Sequence, residues 1–442
     1  MTASQKKRLV VSLDGLNLEQ FDQLKSRLPL LSDYLSKGRV AQLDSSPFVD
    51  AQPIWAEVLT GAPWHENGCV GFSKPGRTLN EMQVFSERDL LKPIQMFEDN
   101  DTKIGGVSKN RPWNILINIP LLRPNDASRL WLGDGGQPVA KNASLPGLEE
   151  LISKLGSYNP RPYVSIGEAM ADWTDATKLL LQLEDQRLGY ALALTQNSDW
   201  KFLAYRLSIF DQLSHLLEFD FLSSKSVIEK ELEKFLGRLD RSLATLFEQA
   251  EEILLFSGYS HMCCSALLSM NDVFEQSRLL RRELKETQKN NRLAALTALE
   301  KQQDPQTPLG LTEHLAFLPR HTLCASPVKG AIYLNVKPHF EDGGSVDDSM
   351  KLDEEDRIEK FFQSSINKYF PKAKLLKNPN CNQFGPSFVF IVEGVELVES
   401  NAKAVSFENL PALTHASKGF VWSPKVDINS RVLKPTDLIA LA

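Results

Sequence analysis

An α/β fold, built on a mostly parallel sheet with helices on both faces, is what this sequence predicts. Strand-like and helix-like patterns alternate along most of the 442 residues. The first apolar run, 10–13, ends in Asp14 and Gly15, and a later one ends at Asp211 with His215 four residues on. In an open sheet, ligands collect beyond the carboxyl ends of the strands. An acid placed there is either a turn residue or an oxygen donor for a cation. The length also allows a large main domain with a smaller insertion.

Taken in order, the first strand is followed by residues 21–37, which carry leucines at helical spacing and stop at Gly38. Residues 39–43 read as a short strand, 45–52 as a loop, and 53–59 as a helix with Pro53 in its first turn. The run WNILINI at 113–119 is a third strand, closed by Pro120. Residues 125–172 are rich in Pro, Gly and Asn and read as a peripheral insertion with little core. A helix is expected over 173–194, a strand over 201–210, and a long amphipathic helix over 226–250 that leads into a strand at 253–257. The strongly charged segment 276–303 reads as a solvated or capping helix. Strands at 331–337, 387–393 and 419–422 and helices at 353–369 and 435–441 complete the chain. The expected division is an α/β core of 1–275 and 381–442 with a helical or α+β cap at 276–380.

A net charge of −6 leaves no polybasic footprint, so nucleic acid is excluded as a main partner. No stretch reaches the roughly 18 apolar residues that a membrane span requires. The apolar run after the basic opening residues is broken by Asp14, which reads as a first strand rather than a signal peptide. Five cysteines without CxxC spacing read as reduced thiols of a cytoplasmic protein.

Two further places carry candidate chemistry. In IFDQLSH, Asp211 and His215 face one point if a helical turn begins there, and Asp with His suits zinc or manganese. The competing reading is that Asp211 caps the helix and His215 lies against the core. His415, in LTHASKGF, is a ligand or a loop histidine. His65, His261, His314, His321 and His339 have no comparable strand-end partner and are assigned to surface or core roles.

These motifs, in this order, resemble the alkaline phosphatase superfamily, in its branch of type I phosphodiesterases and nucleotide pyrophosphatases. LVVSLDG with LPLLSDYLSKGRVAQL resembles the family's start, and QPIWAEVLTGAPWHENGCVGF its "T-x-P-x-W…TG…P…HG…G-F" segment. NILINIPLLRP resembles its third strand, IFDQLSH its D-x-x-x-H motif, THASKG its late H-x-x-x-G, and KPTDLIAL its close. The resemblance implies an alkaline-phosphatase-like fold in which two metal ions, zinc or manganese, flank a nucleophilic Thr or Ser. The chemistry it implies is a two-metal in-line displacement at a helix N-terminus. Asp211, His215 and His415 match the three ligands of one ion, and Asp14 matches a ligand of the other.

Elsewhere the chain departs from the pattern. Gly258 and Tyr259 stand where the second site has its Asp–His pair, with His261 two residues further on. Ala51 stands at the nucleophile position and Asn67 at the His of "HG". A shift of one residue would put Asp50 there instead, as a metal ligand or a base; Ser45, Ser46 and Thr60 are misplaced. The leading expectation is therefore a degenerate, non-catalytic or regulatory family member holding one divalent metal. The alternatives are a phosphate- or sulfate-ester hydrolase that uses a metal-bound water, with Asp50 or His65 as base, and a metal-free relic. Its partner would be a small phosphorylated or sulfated ligand, or another protein.

Overall fold

The computed structural model describes residues 6–79, 81–96, 113–122, 129–132, 148–156, 158–159, 173–217, 229–264, 266–283, 316–317, 322–337, 339–340, 344–380, 385–397, 413–426 and 432–442. The chain divides into two compact units: Met1–Pro63, Lys92–His261 and His415–Ala442 form one, and Trp64–Leu91 with Met262–Thr414 form the other.

The strands of the first unit are β1 (Arg8–Leu13), β2 (Arg39–Asp44), β3 (Trp113–Ile117), β4 (Arg129–Leu132), β5 (Trp200–Leu207), β6 (Glu252–Ser257), the start of β7 (Ser260–Cys263), the end of β8 (Leu413–Ala416), β9 (Lys418–Ser423) and β10 (Val432–Leu433). Its helices include α1 (Leu18–Ser26), α2 (Pro29–Leu35), α3 (Ala51–Thr60), α4 (Leu148–Leu155), α5 (Trp173–Asn197), α6 (Ile209–Leu217) and α7 (Glu229–Gln249). The main sheet runs β10-β2-β9-β6-β1-β5-β3-β4. It is parallel throughout except for β9, which is antiparallel to both of its neighbours. The ends of β1, β5 and β6 therefore meet the start of β9 at one edge, and residues 14–15, 208–211, 257–261 and 415–418 converge there.

Side-chain alternation along β1 splits the core in two. Leu9, Val11 and Leu13 join a buried cluster with residues of α1, α2, α5 and α7. On the other face Phe256 of β6 meets Trp55 of α3 edge to face, with ring centroids 5.3 Å apart. Beneath the first face, Tyr205 donates to the Glu184 carboxylate at 2.6 Å and Arg187 pairs with it at 3.2 Å, all three buried.

The helix expected over 21–37 is two helices. Pro29 cannot continue a helix from the preceding turn, and Leu28 before it takes a non-helical conformation. The Asp240 carboxylate caps the restart by accepting from the Leu30 and Leu31 N–H groups at 3.1 and 2.8 Å. The first strand-to-helix crossing after β2 is as expected in kind, but α3 opens at Ala51, two residues before Pro53. Within 125–172, residues 129–132 pair in parallel with β3 as the sheet's edge strand rather than lying peripheral to it. The C-terminal segment Pro435–Ala440 is a 3-10 helix. Of the charged segment 276–303, residues 284–303 lie outside the described residues.

The second unit contains an antiparallel sheet of Cys324–Val328, Ala331–Leu334, Phe388–Ile391 and Lys374–Lys377, in that spatial order, with the helix Lys351–Phe361. The strand expected at 387–393 thus belongs to this sheet and not to the main one. Asn271 brackets the backbone of Ser326, accepting from its N–H at 2.8 Å and donating to its carbonyl at 2.9 Å. Both ties place residues beyond the expected 276 and 380 boundaries in the second unit.

Candidate metal centre

The centre is built from the convergent edge of the main sheet. Because α6 begins directly after β5, Asp211 sits in its first turn and His215 in its last, one helical turn apart. β7 carries His261, β8 carries His415, and these two strands pair with each other. Oδ1 of Asp211 lies 3.1 Å from Nε2 of His415, 3.1 Å from Nε2 of His261 and 3.7 Å from Nε2 of His215. Nε2 of His215 is 3.1 Å from that of His415 and 3.4 Å from that of His261. One ligand atom from each of the four residues falls within 4.8 Å of every other. His261 is buried, Asp211 and His415 are partly covered, and His215 is exposed.

Two of the rings are held from behind. Nδ1 of His415 is 3.2 Å from Oδ1 of Asp50, and Nδ1 of His261 is 3.1 Å from the Gly15 carbonyl oxygen. Carboxylate or carbonyl support of this kind orients a metal-ligating histidine and sets its tautomer. Gly15 is required for it. Its φ is +91°, and a Cβ would stand 2.6 Å from Cα of Asp211 and 2.9 Å from Cε1 of His261. Burial raises the Asp211 carboxyl, but its hydrogen bonds to His261 and His415 outweigh that and hold it well below the usual carboxylate range. Burial likewise lowers His415, yet hydrogen bonds to Asp211 and Asp50 push it up to about 10. The pocket is thus strongly attractive to positive charge. Three imidazole nitrogens and one carboxylate oxygen suit zinc or a similar transition metal better than magnesium or calcium.

Asp211, His215 and His415 are brought together. Asp14 is not among the four: its Oδ2 accepts from Nε of Arg206 at 2.5 Å, both side chains being buried. Gly258 has no space for a carboxylate, because a Cβ there would lie 2.6 Å from Cγ2 of Ile54 on α3. Tyr259 is buried with its ring 4.6 Å from that of His415, and burial raises its hydroxyl well above its ordinary value. His261, assigned by sequence to a surface or core role, instead joins the cluster, because β7 starts directly after the Gly258 turn and aims its ring at Asp211. The sequence signal for Arg206 was a charge inside the otherwise apolar run FLAYRLSIF.

Ala51 is the first residue of α3 and is buried, with Asp50 as its N-cap. The hydroxyls nearby in sequence are engaged elsewhere: Ser45 donates to the Ser417 carbonyl and Thr60 to that of Ala56. In the second unit Asn67 accepts from the Cys69 N–H at 2.8 Å, and the His65 ring lies edge-on to Trp64.

A model described as type I phosphodiesterase / nucleotide pyrophosphatase matches residues 8–361. The chain belongs to that family. Solved structures share the fold of this phosphodiesterase-family protein at low identity. Phosphonoacetate hydrolase from Sinorhizobium meliloti 1021, in complex with phosphonoacetate, is 14% identical with a TM-score of 0.54, over 98% of this chain and 94% of that one. Wild-type alkaline phosphatase PafA is 12% identical with a TM-score of 0.52, over 99% and 95%. An inactive variant of murine ectonucleotide pyrophosphatase / phosphodiesterase 5, in complex with AMP, is 13% identical with a TM-score of 0.50, over 99% and 94%. No curated protein matches the chain. Among the described residues, no helix is long and apolar enough to cross a membrane.

Proposed function

We propose that this phosphodiesterase-family protein is a non-catalytic member that holds a single divalent ion, zinc being the best fit, and acts by binding rather than by turnover. The observation that carries the reading is the start of α3. A helix N-terminus is where the family's nucleophile meets phosphate. Here that position is Ala51, which has no oxygen to attack phosphorus, and Asp50 beside it adds a carboxylate that opposes an anion.

Asp211, His215 and His415 would hold the ion, which when bound would neutralise the charge their side chains gather at the sheet edge. Asp50 fixes the His415 ring, and Asp14 is neutralised by Arg206 rather than by a second ion. The ligand of such a protein is a small phosphorylated or sulfated molecule, or a protein surface. Five cysteines without CxxC spacing fit a reducing, cytoplasmic setting.

Hydrolysis of a chromogenic phosphodiester with added Zn²⁺ or Mn²⁺ tests the reading, with His415→Ala prepared identically. No turnover above that control is expected. Turnover by the wild type that the substitution abolishes would overturn it.

A further inference from the structure

We infer that His261 completes a closed, four-coordinate tetrahedral centre with Asp211, His215 and His415. The ion there ties the chain together and offers no vertex to a substrate. The inference rests on the one-ion reading given above. Its first ground is the shape of the donor set. An ion with ligands at about 2.0–2.1 Å in tetrahedral geometry has donor–donor edges of about 3.3–3.4 Å. Five of the six donor separations are 3.1, 3.1, 3.1, 3.4 and 3.7 Å, and the sixth, between Nε2 of His261 and Nε2 of His415, is within 4.8 Å.

The second ground is the proton inventory. A carbonyl oxygen only accepts, so Nδ1 of His261 donates to Gly15 and its Nε2 is left facing Asp211 and His215. The ring of His415 is held the same way, with Nδ1 toward Asp50 and Nε2 toward the same centre. Three imidazole nitrogens and a carboxylate oxygen thus face one point from rings already oriented from behind, a donor set that zinc accepts.

The third ground is the loss of the neighbouring site. The guanidinium of Arg206 supplies to Asp14 the positive charge that a second ion would bring. The side chain of Ile54 fills the space beside Gly258 where a further carboxylate would stand. Catalytic zinc keeps three protein ligands and an open position, whereas four protein ligands mark a structural site. Here the fourth ligand lies on β7, where the chain leaves the first unit, and His415 lies on β8, where it returns.

The test is metal content and the visible spectrum of the Co²⁺-substituted full chain, with and without inorganic phosphate. We expect one ion per chain and the intense absorption of tetrahedral Co²⁺, unchanged by phosphate. His261→Ala should weaken the ion by more than the roughly 100-fold that loss of a supporting residue costs, and should make the spectrum respond to phosphate. Two ions per chain, a weak six-coordinate spectrum, or a phosphate-sensitive wild-type spectrum would overturn the inference. The wild-type spectrum decides this even if the variant fails to fold. The two readings fail separately. Phosphodiester turnover overturns the non-catalytic reading alone, whereas an open coordination sphere without turnover overturns this one alone.

Discussion

Asp50 shows how one residue can join a helix start to a distant histidine. As N-cap of α3 its carboxylate makes no capping hydrogen bond of its own and reaches instead to Nδ1 of His415. It therefore supports a metal-facing ring from the place where the family presents its nucleophile. Asp50→Ala should weaken metal affinity about 10- to 100-fold, the usual cost of losing such support, while the wild-type fold persists. Competition with a zinc-sensitive dye, read beside the far-UV spectrum, checks both halves of that expectation. At Gly258 the lack of a side chain lets Ile54 pack against the backbone, where a Cβ would stand 2.6 Å from its Cγ2.

At the scale of elements, the sheet edge is held by pairs that join distant strands. Asp44 at the end of β2 accepts from Lys434 at 2.8 Å and from the Ser46 N–H at 3.0 Å. Burial raises its carboxyl, but the hydrogen bonds from Lys434 and Ser46 win and leave it below its ordinary value. A lowered carboxylate stabilises the fold above its unfolded pKa, and that contribution is lost as pH falls through the folded one. The pair is partly exposed, so it is worth no more than about 1 kcal/mol. Asp44→Asn should cost up to about that amount at neutral pH. The gap from wild type should close as pH drops below about 4, where the unfolded carboxyl protonates. Urea melts of both proteins across pH measure it.

In the first unit α5 and α7 cover one face of the sheet, and a trio of polar side chains is buried in that core. Glu184 accepts from Tyr205 and pairs with Arg187, and burial raises its carboxyl despite both partners. Removing one member leaves the other charge without its counterpart in low dielectric. Glu184→Leu should therefore cost about 3–5 kcal/mol. The double variant Glu184→Leu/Arg187→Leu should recover part of the loss, because neither charge is then stranded. Denaturation midpoints of the two single variants, the double variant and the wild type form a cycle that checks this.

Much of the protein's character is local, and local character is what a sequence can state. The alternation of strands and helices, the one-turn spacing of Asp211 and His215, the missing hydroxyl at Ala51 and the missing pair at Gly258 and Tyr259 are all legible along the chain. Pro29 is too, in retrospect, as a break in the 21–37 helix. The partners of Asp14 and His261 are not local. His261 meets the Gly15 carbonyl from 246 residues away, and Arg206 meets Asp14 from 192. Whether a histidine displaced by two residues still reaches the centre depends on the direction β7 takes after the Gly258 turn. Whether a carboxylate is answered by a metal or by a guanidinium depends on which strand lies beside it. The sequence by itself determined the α/β class, the family and which residue stands at position 51. Only the tertiary structure decided that the surviving ligands close around one point, because that rests on side chains converging within a few ångströms from strands far apart in the chain.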